Sequence, residues 1–244
     1  MLDKAELQEL LVRLKLGTVS VDSAIEEIEK NFYDEREETS GFLKRAGFDR
    51  VVFCGNKDED YLKKIINNYL EKRISFICIN LDKEMTAKLA SLFDGLDIVY
   101  DAGIAFKTYV KPAPKAFKTV ILSSSHQLCR PCLEAETVLR LVGIDVETVS
   151  CLHPYKLLSI KNRINNASVV IVASESPALA EVAAELFSGV VVALPLSEDD
   201  KSLFKGVVGM YGAVLSPYGV SAVNINSGFA AAMAVYRCFL TSVQ

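Results

Sequence analysis

Apolar positions recur at helical spacing near the start of the chain, where Leu7, Leu10, Leu11 and Leu14 follow an i, i+3, i+4, i+7 register. The spacing predicts a helix over 3–15, ended by Gly17. A second helix opens at Thr18–Ser20, with Ala24, Ile25 and Ile28 on its apolar side. The charged stretch at Asp34-Glu35-Arg36-Glu37-Glu38 reads as a solvated linker or helix face. Short apolar runs then alternate with helical segments, giving strands over 50–54, 75–80 and 97–100 and helices over 58–72 and 83–93. Lys111-Pro112-Ala113-Pro114 is a stiff connector and marks a domain boundary.

Beyond the connector the alternation is cleaner. Strands are expected over 119–123, 145–150, 168–173, 189–194 and 221–225, with helices over 130–142, 154–164, 177–187, 201–215 and 227–241. Runs such as Val169-Val170-Ile171-Val172 have no polar face, which is the pattern of strands buried on both sides of a parallel sheet. Repeated β–α units with right-handed crossovers imply an α/β fold, a three-layer doubly wound parallel sheet. The expected organisation is an N-terminal helical arm (1–45), a small α/β region (46–114) and an α/β sandwich (115–244). In such a sheet ligands lie beyond the carboxyl ends of the strands. Chemistry is therefore sought in the loops 123–132, 150–155, 173–178, 195–203 and 225–229.

Composition sharpens the division. The chain has 244 residues and a net charge of −4, and half of its residues are apolar. Positions 119–244 hold only 8 basic and 10 acidic residues, so the second half is the core-rich one. A mildly acidic balance argues against a nucleic-acid surface. No apolar run reaches the roughly 18–20 residues needed to cross a bilayer. The opening Met1-Leu2-Asp3-Lys4-Ala5-Glu6 lacks the basic-then-apolar layout of a signal peptide, so the expected location is cytoplasmic. Thiols there normally stay reduced. The six cysteines are then core filler, metal ligands or redox groups.

The first of these loops is Ser123-Ser124-Ser125-His126-Gln127-Leu128-Cys129-Arg130-Pro131-Cys132. Ser124 and Ser125 before a helix suit an anion, although serines there are also ordinary N-caps. Cys129-x-x-Cys132 at a helix N-terminus has the layout of a thiol–disulfide centre, because the helix dipole favours the thiolate. The same spacing is half of a tetrahedral metal site, which Cys151 and His153 in the next loop would complete, with His126 also at hand. Chance spacing of small, partly buried residues is the third reading. Glu175, in Ser174-Glu175-Ser176-Pro177, is a general acid or base or a favourable first-turn charge. No dinucleotide glycine fingerprint, phosphate-binding P-loop or zinc-protease motif is present.

The order of elements resembles the LarB family, which begins synthesis of the nickel-pincer nucleotide and whose C-terminal domain is similar to PurE, the aminoimidazole ribonucleotide carboxylases. The matching segments are Gly17-Thr18-Val19-Ser20, Arg45-Ala46-Gly47-Phe48-Asp49-Arg50-Val51-Val52-Phe53 with Lys57, Tyr100-Asp101, Pro131 and Glu134, Ala178-Leu179, Pro195, and Val223-Asn224-Ile225-Asn226-Ser227-Gly228-Phe229-Ala230. The last segment is the most specific. The resemblance implies a PurE-like sandwich in a homo-oligomer, dimer-based up to an octamer. It implies carboxylation of the pyridine ring of nicotinic acid adenine dinucleotide and cleavage of its pyrophosphate, with CO2 or bicarbonate as co-substrate and Mg2+ in attendance. Arg45, Lys57, Ser124, Ser125, Asn224, Asn226 and Ser227 would bind the nucleotide, and Glu175, Cys129 and Ser216 would stand at catalytic positions.

Several positions differ from the family pattern. Gln127-Leu128-Cys129 replaces a Thr-Ser-Asp motif, Ser216 replaces a nucleophilic cysteine, and the catalytic glutamate falls at Ser176 with Glu175 one residue away. Asp199-Asp200-Lys201 replaces Gly-Tyr-Gly, and Thr39-Ser40-Gly41-Phe42 replaces Asp-His-His-Arg. A diverged relative whose cleft carries a transition metal or a redox pair at Cys129, Cys132, Cys151 and His153 is the alternative. A non-catalytic ligand-binding oligomer is the plainest reading.

Overall fold

A computed structural model describes residues 4–24, 47–55, 57–110, 112–125, 129–150, 152–197 and 206–243. Arg45, His126, Cys151 and the acidic positions 198–200 lie outside the described residues. The first helix, α1 (Lys4–Lys15), forms where the leucine spacing places it, and a helical turn follows at 21–24.

A four-stranded mixed sheet follows, made of β1 (Arg50–Phe53), β2 (Phe76–Ile79), β3 (Asp97–Val99) and β4 (Ile104–Lys107) in the order β1-β2-β4-β3. The parallel pair β1–β2 is joined by helix α2 (Glu59–Glu71). Asp58 caps it by accepting the Tyr61 N–H at 2.8 Å, and Leu62, Ile65, Ile66 and Tyr69 form its buried face. Helix α3 (Lys83–Leu92) is capped in the same way by Asp82, which accepts the Met85 N–H at 2.7 Å. Strand β4, antiparallel to both β2 and β3, is absent from the sequence-based expectation. The chain enters it through a short 3-10 turn at Tyr100–Ala102 and then Gly103, whose φ of 63° is left-handed. A side chain at Gly103 would overlap the Leu81 carbonyl oxygen and the Arg130 guanidinium, so glycine is required there twice over.

The second sheet is parallel throughout, with five strands in the order β6-β5-β7-β8-β9. These are β5 (Lys115–Ser123), β6 (Ile144–Val149), β7 (Val169–Ser174), β8 (Val190–Pro195) and β9 (Ser221–Ala222). Alternate residues face opposite layers. Ile121, Ile171, Val192 and Leu194 pack with α4 (Arg130–Leu141) and α8 (Gly228–Ser242). Val120, Leu122, Val170, Val172 and Val191 pack with Leu157, Ile164 of α5 (Lys161–Asn165), α6 (Ala178–Leu186) and Ala213 of α7 (Val207–Val214). Helices thus cover both faces, as the uninterrupted Val/Ile runs require.

Two segments differ locally from the expected pattern. The helix expected over 154–164 is a 3-10 stretch at Pro154–Ile160 followed by the single α-helical turn of α5. Strand β9 covers two residues, because the chain turns away at Asn224–Ser227.

The two sheets share one apolar cluster. Ile77, Ile79 and Ile104 of the first sheet belong to it together with Cys132, Ala135, Val138 and Leu139 of α4 and Ile121 and Ile171 of the second. Arg130 adds polar ties, donating through Nη2 to the Leu81 carbonyl at 2.5 Å and through Nε to the Ala102 carbonyl at 3.3 Å. Among the described residues no helix is long and apolar enough to cross a membrane.

Candidate functional site

Strand order reverses between β5 and β7, since the chain leaves β5 for β6 on one side and returns to β7 on the other. In an open parallel sheet that reversal opens a crevice beyond the strand ends, where ligands bind. Three loops meet there. Ser124 donates its N–H to the Ala173 carbonyl at 3.0 Å, which carries the β5–β7 pairing one residue past the strand. Ser125 N–H bonds the buried Ser123 hydroxyl at 3.2 Å, and Ser176 N–H bonds the buried Ser174 hydroxyl at 3.1 Å. The serines at the strand ends thus shape matching turns, leaving Ser124 and Ser125 half-buried and Glu175 exposed at the rim.

Cys129 and Cys132 do come together. Their sulfurs are 3.0 Å apart, with Cys129 half-buried at the N-cap of α4 and Cys132 fully buried one turn on. His153 lies in the loop after β6, whose neighbour Leu152 bonds the Ser123 carbonyl at 3.0 Å, so that loop adjoins the end of β5 as expected. Yet the His153 ring is exposed and stacked on Tyr155, with centroids 5.5 Å apart. Among the described residues no group of three or more His, Cys, Asp or Glu side chains is placed to hold a metal ion.

The other expected binding residues are largely engaged in the fold. Asn226, with a left-handed φ of 57°, accepts the Ser197 N–H at 2.9 Å and donates to the Ser197 carbonyl at 3.1 Å, clamping the loop after β9 to the loop after β8. Ser227 is the N-cap of α8, accepting the Ala230 N–H at 3.4 Å. Asn224 folds back on the Ile225 N–H at 2.9 Å. Lys57 is exposed in the loop after β1, its ammonium 4.3 Å from the Tyr61 ring centre. Ser216 follows α7, its hydroxyl accepting the Tyr218 N–H at 3.4 Å.

One carboxylate at this end is not among the binding, catalytic or metal residues that the sequence suggests. Glu134 is almost wholly buried on α4, and its Oε2 accepts the Gly228 N–H at 3.0 Å, joining the first turns of α4 and α8. Burial pushes its pKa up to about 7, against the opposing pull of the Gly228 and Phe229 N–H groups and the Arg130 charge. The signal was present in the sequence, because Glu134 falls four residues before Val138 on the stripe shared by Cys132, Ala135 and Leu139. An acid on an apolar stripe is a perturbed group by construction. Nearby, the Phe53 and Phe229 rings meet edge to face at 5.9 Å, which brings the end of β1 against the start of α8.

No protein-family model matches the chain, and no curated protein matches it. The function therefore rests on the arrangement of these loops.

Proposed function

We propose that the second half has a PurE-like fold and that the chain acts, in the manner of LarB, on nicotinic acid adenine dinucleotide, carboxylating the pyridine ring and splitting the pyrophosphate to release AMP. The observation that carries this reading is the Glu134–Gly228 hydrogen bond. It joins Glu134, which with Pro131 bears part of the resemblance, to the Val223–Ala230 segment across 94 positions of chain, beyond the carboxyl ends of the strands. A parallel sheet between two helical layers, with serine turns at its switch point, supports a nucleotide laid across the β5–β7 crevice. Ser124 and Ser125 line the turn that would receive an anionic group, Lys57 offers a cation from the first sheet, and Glu175 is the exposed carboxylate able to exchange a proton with the ring. The donors for a protein-held Mg2+ are not assembled among the described residues.

With bicarbonate, Mg2+ and the dinucleotide, the protein should release AMP in a bicarbonate-dependent way. Glu175→Gln should slow release on the order of a hundredfold. Absence of AMP at enzyme concentrations matching the substrate would overturn the reading.

A homo-oligomer goes with it. Helix α7 is apolar nearly all round, yet Val208, Tyr211 and Val214 on it and Leu215 at its C-cap are exposed. Close to them in sequence, Tyr218 lines an open groove of about 500 Å³ with Tyr155, Leu158 and Val182. Exposed apolar side chains on one helix, beside a groove edged by Glu181 and Glu185, support an interface, and a second copy of the chain is the proposed occupant. Light scattering should give a mass at least twice that of the chain, and Val208→Glu with Leu215→Glu should reduce it to the monomer. A monomeric wild-type protein at micromolar concentration would remove the idea.

A further inference from the structure

The first turn of α4 is unusually constrained. Arg130 anchors it to the first sheet through the Leu81 and Ala102 carbonyls, while Gly228 packs against the Pro131 carbonyl and Glu134 bonds the Gly228 N–H. The turn is also closed on itself, with the Cys132 and Leu133 N–H groups both bonded to the Cys129 carbonyl at 2.9 and 3.1 Å. Inside this frame sit two reduced sulfurs of unequal access, Cys129 half-buried at the mouth and Cys132 fully buried behind it, 3.0 Å apart. A disulfide needs about 2.05 Å between sulfurs, a gap that side-chain rotation closes.

We propose that Cys129 and Cys132 are a redox-active dithiol that reduces a low-molecular-weight organic disulfide, an activity distinct from the nucleotide chemistry. The Cys129 thiolate attacks one sulfur of the disulfide, forming a mixed disulfide and expelling the other sulfur as a thiolate. Cys132 then attacks the Cys129 sulfur, its proton passing to the second thiolate as that thiolate is expelled. The substrate disulfide gains two electrons and leaves as two thiols, and the protein retains a Cys129–Cys132 disulfide. Unequal access fixes the order, because only Cys129 is reachable from outside. A small substrate is required because Cys129 itself is only partly exposed. Cys132 is part of the core and Cys129 packs against the same cluster from its partly exposed side, so both sulfurs are held in contact by one frame.

The test uses the full-length protein, reduced and handled without oxygen, with glutathione disulfide as the probe and peptide mapping as the readout. Wild-type protein should lose two hydrogens and yield a Cys129–Cys132 cross-linked peptide that dithiothreitol reverses. Cys132→Ser, or Cys132→Ala if the serine disturbs the core, should trap glutathione on Cys129, and Cys129→Ser should do neither. Brief alkylation should label Cys129 on the order of tenfold faster than Cys132. Three results would overturn the proposal: no cross-linked peptide at any glutathione ratio, glutathione trapped only on other cysteines, or stoichiometric metal that shields both thiols from alkylation. None of these readouts involves the dinucleotide, so either proposal fails without the other.

Discussion

Replacing Glu134 by glutamine should leave the protein about as stable as wild type near pH 4.5 and make it more stable above pH 7. The carboxyl group is nearly fully buried and its pKa is pushed up to about 7 from the ordinary 4.5. A group whose folded-state pKa is raised contributes stability below its unfolded value and loses it as pH climbs through the folded one. Wild-type protein therefore loses stability between pH 4.5 and 7 as Glu134 is forced to ionise in the core. A shift of this size corresponds to about 3 kcal/mol. Glutamine keeps an acceptor for the Gly228 N–H and carries no proton to lose, so the variant lacks this component of the pH profile. Subtracting the two denaturation profiles isolates Glu134 from half-buried carboxylates such as Glu59 and Glu147, whose pKa values are held down by lysine and arginine partners and act in the opposite direction. Parallel wild-type and variant profiles from pH 4.5 to 8 would show that Glu134 does not titrate in this window.

The same carboxylate shows where sequence patterning works and where it stops. The Val169–Val172 run announces a strand buried on both faces, and β7 is that strand, central in the parallel sheet. The regular β–α alternation of the second half requires crossovers and hence a parallel sheet. In the first half the pattern is silent beyond Tyr100, because a four-residue antiparallel strand reached through one left-handed glycine leaves little periodic signal. The CxxC pair was legible because its spacing is local and one helical turn brings the two residues together. Asn226 was not legible as a clamp, since its partner Ser197 is 29 positions away and only the folded sheet places them side by side. The Glu134–Gly228 bond is of the same kind. Residue type can suggest a polar group that recognises something, but whether that something is a ligand or the protein's own backbone is decided by tertiary contact.

Gly228→Ala should be the most damaging single-methyl change at the candidate site. A β-carbon there would overlap the Pro131 carbonyl oxygen and lie 2.8 Å from both the Ala135 nitrogen and the Glu134 β-carbon. Two of these three atoms are backbone atoms in the first two turns of α4, a helix start already pinned by Arg130 from the other side, so they cannot yield cheaply. The start of α8 must move instead. That movement overpacks the contact, at about 1–3 kcal/mol, and pulls the Gly228 N–H away from a buried carboxyl group, at about 1–3 kcal/mol more. Together these predict a loss of about 3 kcal/mol or more and a fall in Tm of roughly 6–12 °C for a chain of this size. Gly95→Ala is the control, because nothing lies within 4 Å of a β-carbon there and the backbone is not left-handed; its Tm should stay within about 2 °C of wild type. The variant also links stability to chemistry. Displacing α8 frees one side of the turn that holds Cys129 against Cys132, so folded Gly228→Ala protein should form the Cys129–Cys132 disulfide more slowly than wild type at the same glutathione ratio. Equal rates would mean that the close approach of α8 has no part in presenting the thiols.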